Sequence, residues 1–175
     1  SKFFDTMFSS IEWRTRYAED KDGNSYPFEL FERKVRKLNV LSPTGFNGIM
    51  FVSEFEKRIY EETDLTPEKV IKIAKEMHRK YMDRDGDSLS ALLVPHIYAW
   101  DSSAYYHAYG LAELALMQWR KYFYEKYGYI VDNSEVGRDI AEVWKLGSLK
   151  SFAEFVKIAT GSELSPEAFL EDATM

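Results

Sequence analysis

Cysteine is absent from the 175 residues, which excludes a disulfide scaffold, a thiolate zinc site and an iron–sulfur cluster at once. No stretch approaches the ~18 consecutive apolar residues that a spanning helix needs. Proline and glycine are sparse, at 5 and 9, and no internal repeat, low-complexity segment or domain-splitting linker is found. The beginning, Ser1-Lys2-Phe3-Phe4, carries no initiator Met, no basic n-region and no apolar h-region. It therefore reads as a processed start or as part of a longer chain, with no signal peptide. Strict apolar/polar alternation over more than a few residues is also missing, and with it the mark of half-buried strands.

Against these absences stand 12 Tyr, 12 Phe and 4 Trp, 16% aromatic in all. That surplus fits a large helical core, or a cleft that grips peptides or other apolar ligands. Charged residues make up 30% and mean hydropathy is −0.41, so the chain is neither disordered nor membrane-embedded. The net charge of −6 argues against a nucleic-acid partner. The length suits one domain, 1–175, with a real core.

The periodicity is helical. Phe28, Phe31, Val35 and Leu38 space a helix over about 27–38, and Ile49, Val52, Phe55 and Ile59 another over about 46–62. Thr66-Pro67-Glu68 opens a helix to about Met82 with a hydroxyl cap, a first-turn proline and an acid. The longest helix is expected from about 102 to 126, with Tyr105, Tyr109, Ala112, Leu116, Trp119 and Phe123 as its seam. Apolar around most of its circumference, it should be central. Asp132-Asn133-Ser134-Glu135 resembles a capping box opening a helix to about Lys145. A further helix carries Phe152, Phe155, Val156 and Ala159 and closes at Gly161; Ser165-Pro166-Glu167 caps a short last one. Asp20–Ser25 and Asp83–Ser88 read as polar loops. The expected class is all-α.

Chemistry-bearing residues are few. His78 sits among Lys and Arg on the 66–82 helix and reads as a solvated surface residue. His107, inside the aromatic helix, reads as a satisfied core histidine. His96 follows Pro95 in a loop and precedes Tyr105, Tyr106 and Tyr109. Tyr106 and Tyr109 project from one side of a helix, where phenol hydroxyls can donate to an oxygen gaining charge. Asp83-Arg84-Asp85-Gly86-Asp87 fails the calcium-loop pattern: its glycine is fourth rather than sixth, and no twelfth-place Glu follows. Asp5 and Glu12 stand seven apart and would share one face of a helix through Phe3–Tyr17. HExxH, a phosphate loop and the Glu/His pattern of di-iron bundles are missing.

Three segments together resemble the C-terminal part of the thimet oligopeptidase and oligoendopeptidase F family of zinc metallopeptidases. The first runs from His96 through Tyr105, Tyr106 and Tyr109 to Glu113, and is similar to the segment in which a histidine precedes a tyrosine-rich helix. The second is Ser10-Ile11-Glu12-Trp13 with Phe51 to Glu61, and the third runs from Trp144 through Gly147 and Gly161 to Leu170. The resemblance spans essentially the whole chain. It implies a mostly helical, two-lobed enzyme with a deep channel, to whose catalytic lobe this chain contributes the helical C-terminal part.

The resemblance also implies one zinc ion, held by the two histidines of HExxH and a following glutamate, with the HExxH glutamate as general base. Since HExxH is not in these residues, the resemblance makes the chain alone inactive, awaiting the missing portion or a partner that carries it. It makes His96 with Tyr106 or Tyr109 the groups facing the scissile carbonyl, Tyr98 and Tyr105 substrate contacts, and either Asp5 or Glu12 the third metal ligand. Short peptides in the cytoplasm are the implied substrates, with no membrane partner. The competing expectation is a stand-alone, non-catalytic helical domain that binds peptide or protein.

Overall fold

The computed structural model describes residues 2–82 and 88–174. Among the described residues eight α-helices follow in order: α1 (Lys2–Ser9), α2 (Ile11–Tyr17), α3 (Phe28–Glu61), α4 (Pro67–Met82), α5 (His107–Tyr127), α6 (Ser134–Trp144), α7 (Phe152–Thr160) and α8 (Glu167–Thr174). Three short 3-10 turns, Ser90–Leu93, Pro95–Tyr98 and Trp100–Ser102, lie between α4 and α5. The described residues form no strand, only an isolated bridge between Glu19 and Ser25, and the fold is all-α. Among them, no helix is long and apolar enough to cross a membrane. Of the expected loop Asp83–Ser88, residues 83–87 lie outside the described residues, as does the side chain of Leu38.

Local chemistry explains most boundaries. Thr66 Oγ1 accepts the Lys69 N–H at 3.3 Å, so α4 begins at its proline as expected. At α7, Ser151 and Glu154 exchange side-chain and backbone bonds in a complete capping box, and Gly161 closes the helix at φ 79°, a left-handed value few other residues adopt without strain. The box expected at 132–135 does not form. Asn133 caps α6 alone, accepting the Glu135 N–H at 3.0 Å.

The first three expected helices differ from those that form. The helices foreseen over about 27–38 and 46–62 are one helix, α3, with Pro43 inside it. Pro43 removes one rung of the ladder, but Gly45 keeps a right-handed backbone, so no left-handed stop forms. The helix foreseen through Phe3–Tyr17 is broken: Ser10 turns to extended backbone (φ −72°, ψ 153°) and accepts the Trp13 N–H at 3.2 Å, capping a new helix. Asp5 and Glu12 therefore belong to separate helices.

The described residues fall into two compact units, Ser1–Val40 with Ala112–Met175, and Leu41–Leu111. The core of the first gathers Phe3, Leu116, Phe123, Ile130, Val136 and Ile140. Phe3 meets Trp119 and Phe123 edge-on, at 6.0 and 5.8 Å between centroids. The second core gathers Phe51, Val52 and Phe55 of α3, Ile73, Ala74 and Met77 of α4, and Ala91. His78 belongs with this core, contrary to the surface expectation. It is 8% exposed and edge-on to Phe51 at 6.1 Å.

Candidate functional site

The site lies in the second unit, and the backbone before α5 shapes it. Val94 is extended ahead of Pro95, as a residue before proline prefers, and Pro95 then starts a 3-10 turn that carries His96. The third turn ends at Ser102, and Ala104 takes φ +52°, a conformation that costs an alanine about 1–2 kcal/mol. The chain enters α5 only at His107, so Tyr105 and Tyr106 stand just ahead of the helix rather than inside it. Their carbonyls nonetheless accept the first helical amides, from Ala108 at 2.9 Å and Tyr109 at 3.1 Å.

This path brings His96, Tyr106 and Tyr109 together. His96 Nε2 and Tyr109 Oη share a hydrogen bond of 2.9 Å. The Tyr106 ring is edge-on to His96 at 5.7 Å and to Tyr109 at 5.2 Å, and it also packs on the core of its unit. Nδ1 of His96 is buried and has no hydrogen-bond partner among the described residues. Tyr105 stacks edge-on to Tyr109 at 5.8 Å while remaining 49% exposed. Tyr98 is 69% exposed, its hydroxyl donating to the Leu92 carbonyl at 2.8 Å. Two phenols and an imidazole at one point can polarise a carbonyl group by hydrogen bonding.

Two features escaped the sequence reading. Glu56 of α3 is 2% exposed, and its Oε2 accepts the Tyr106 backbone N–H at 3.0 Å. The signal was available: Val52, Phe55, Glu56 and Ile59 fall at i, i+3, i+4 and i+7, so this carboxylate occupies a core position. The second is a cleft of about 760 Å³ whose walls include Met50, Ser53, Glu56, Tyr60, Ala104 and His107, a size that admits a small ligand or a peptide segment. His107 is exposed there, not the core histidine expected.

The candidate metal ligands lie elsewhere, in the first unit. Asp5 is exposed on α1. Glu12 is committed: Oε1 accepts the Tyr124 hydroxyl, and Oε2 accepts the N–H groups of Ile130 (3.1 Å) and Val131 (2.8 Å). Burial opposes its charge, yet these donors and Arg16 hold its carboxyl below the ordinary value of 4.5. Tyr124 is in turn pushed up to about 12, by burial first and then by the Glu12 carboxylate.

A histidine bonded to a helical tyrosine beside further phenols, on an all-α scaffold, is a polar cluster that more than one class of protein can carry. The family comparison narrows this: the model of Peptidase family M3 matches residues 1–175, and the chain belongs to that family. It is a family of zinc metallopeptidases. No curated protein and no solved structure matches the chain. Among the described residues no group of three or more His, Asp or Glu could hold a metal ion, and the Glu12 oxygens already serve Tyr124 and the 130–131 backbone. These residues do not fit a zinc site by themselves.

Proposed function

We propose that the chain is the substrate-facing, C-terminal part of a zinc oligoendopeptidase that cuts internal bonds of short, unstructured peptides. The observation that carries this reading is the 2.9 Å bond between His96 and Tyr109, with Tyr106 edge-on to both rings. In that role His96 Nε2–H donates to Tyr109 Oη and fixes it, and the Tyr109 hydroxyl donates to the carbonyl oxygen of the scissile peptide as it gains charge. Donors of this kind act most strongly where water is excluded. Tyr106 walls the same point, and the exposed rings of Tyr98 and Tyr105 lie along the peptide.

The two metal-binding histidines and the general base belong to an HExxH segment that the 175 residues do not contain. The chain by itself is then inactive, and its partner is that segment, on the same polypeptide or on another. The setting is the cytoplasm, the ligands short peptides, and neither nucleic acid nor membrane takes part.

The test is zinc content and turnover of a quenched peptide, measured on the 175-residue chain and on the chain joined to an HExxH-bearing segment. Zinc and turnover in the joined form alone support the proposal. Neither property in both forms overturns it, and leaves a helical domain that binds peptide without cutting it.

A further inference from the structure

The structure assigns Glu56 as the positioning residue of the His96–Tyr106–Tyr109 cluster: a buried carboxylate that anchors the amide at the mouth of α5 and so sets where the three rings stand. A helix leaves its first N–H groups without internal partners. Here the Tyr106 N–H, immediately before α5, is taken at 3.0 Å by a side chain fifty positions away.

Burying a carboxylate is costly unless it is paired and fully hydrogen-bonded. Glu56 is 2% exposed, and its Oε1 has no partner among the described residues. Cations on the same helix are engaged elsewhere, Lys57 with Glu61 at 3.8 Å and Arg58 with Glu76 at 3.1 Å. Glu56 thus forms no ion pair with these neighbours, and its Oε2 meets the Tyr106 amide instead. A leucine at this core position would avoid the cost, but it would leave the Tyr106 N–H buried without an acceptor.

The geometry on the other side of that amide is also under tension. Ala104 holds φ +52°, two residues upstream, just after Ser103, whose Oγ donates to the Ala99 and Trp100 carbonyls at 3.3 Å. The Tyr106 ring touches both His96 and Tyr109, so movement of its backbone moves the pair. Glu56 acts through this contact, by way of the Tyr106 backbone.

The test is nuclear magnetic resonance on the 175-residue chain, reading the Tyr106 amide and the His96 ring in wild type, Glu56→Gln and Glu56→Leu. In wild type the Tyr106 amide is expected downfield and protected from exchange. Glu56→Leu speeds its exchange about tenfold or more and shifts the His96 ring resonances, while Glu56→Gln, which keeps an acceptor, restores most of both. A freely exchanging Tyr106 amide in wild type overturns the assignment without any variant. So does a folded Glu56→Leu chain with an unmoved His96 ring. If the leucine variant does not fold, the wild-type amide and the glutamine variant decide.

A second readout rests on the peptidase reading. In the zinc-loaded, HExxH-completed enzyme, Glu56→Leu lowers kcat with KM nearly unchanged. Because the resonance measurements need no activity, the positioning role and the peptidase reading can fail separately.

Discussion

Tyr109 and His96 are thirteen residues apart in sequence and 2.9 Å apart at their polar atoms, one on a helix and the other on a 3-10 turn. A helix presents a phenol with little freedom, whereas the turn sets the imidazole against it from a separate direction. In the completed peptidase, Tyr109→Phe and His96→Ala each lower kcat about 10²–10³-fold, the usual loss for one oxyanion donor. Turnover of a quenched peptide checks this, with circular dichroism to confirm the fold. Wild-type rates in both folded variants would remove these side chains from the mechanism.

Glu12 gives a stability prediction with a defined pH window. Its folded carboxyl titrates below its ordinary 4.5, so its contribution is fully present above that value and fades as pH falls through the lower folded one. Glu12→Ala strands a phenol and two amides, at a cost of about 2–4 kcal/mol in urea unfolding at pH 7. Glu12→Gln keeps the acid limb of the stability profile shallower than wild type. On the alkaline side Tyr124, raised to about 12, contributes stability below pH 10 that is lost as pH rises through 12. Tyr124→Phe deletes that late phenol from an ultraviolet titration.

His78 separates a buried from a solvated reading. A surface histidine would accept a carboxylate within about 0.5 kcal/mol. At 8% exposure against Phe51, His78→Asp is expected to cost about 3–5 kcal/mol, since it buries a charge without a partner. Thermal melts of the two chains read the difference directly.

Phe55 is fully buried at the centre of the second core. Phe55→Ala opens a cavity there and costs about 3–5 kcal/mol. If the two units unfold independently, amide exchange at a core position in each, such as Ile73 and Val136, will report the loss in the Leu41–Leu111 unit alone.

Much of this was legible where sequence signals are local. Thr66-Pro67 marked the start of α4, Gly161 the end of α7, and the seam of Leu116 and Phe123 the buried face of α5. His96, Tyr106 and Tyr109 were legible as a set because spacing along a loop and a helix start is short-range. His78 was misread because its chain neighbours Arg79 and Lys80 drew attention from its face. With Val70, Ile73, Ala74, Met77 and Tyr81 it completes an i, i+3, i+4, i+7, i+8, i+11 stripe. The start of α5 was misplaced for a different reason. Ala104 carries no propensity for positive φ, and the acceptor for the Tyr106 amide comes from position 56, beyond any local window.

The three consecutive 3-10 turns between Ser90 and Ser102 carry a practical consequence. Such turns hold few strong backbone bonds, and Leu93, Tyr98 and Trp100 on them lie largely in solvent. A segment of that kind opens at lower free energy than the cores beneath it. Warming a sample will therefore part histidine from tyrosine while the helical signal still looks intact. A preparation that passes a folding assay after storage can already have lost the His96–Tyr109 pair, so shelf life has to be followed at the turn itself.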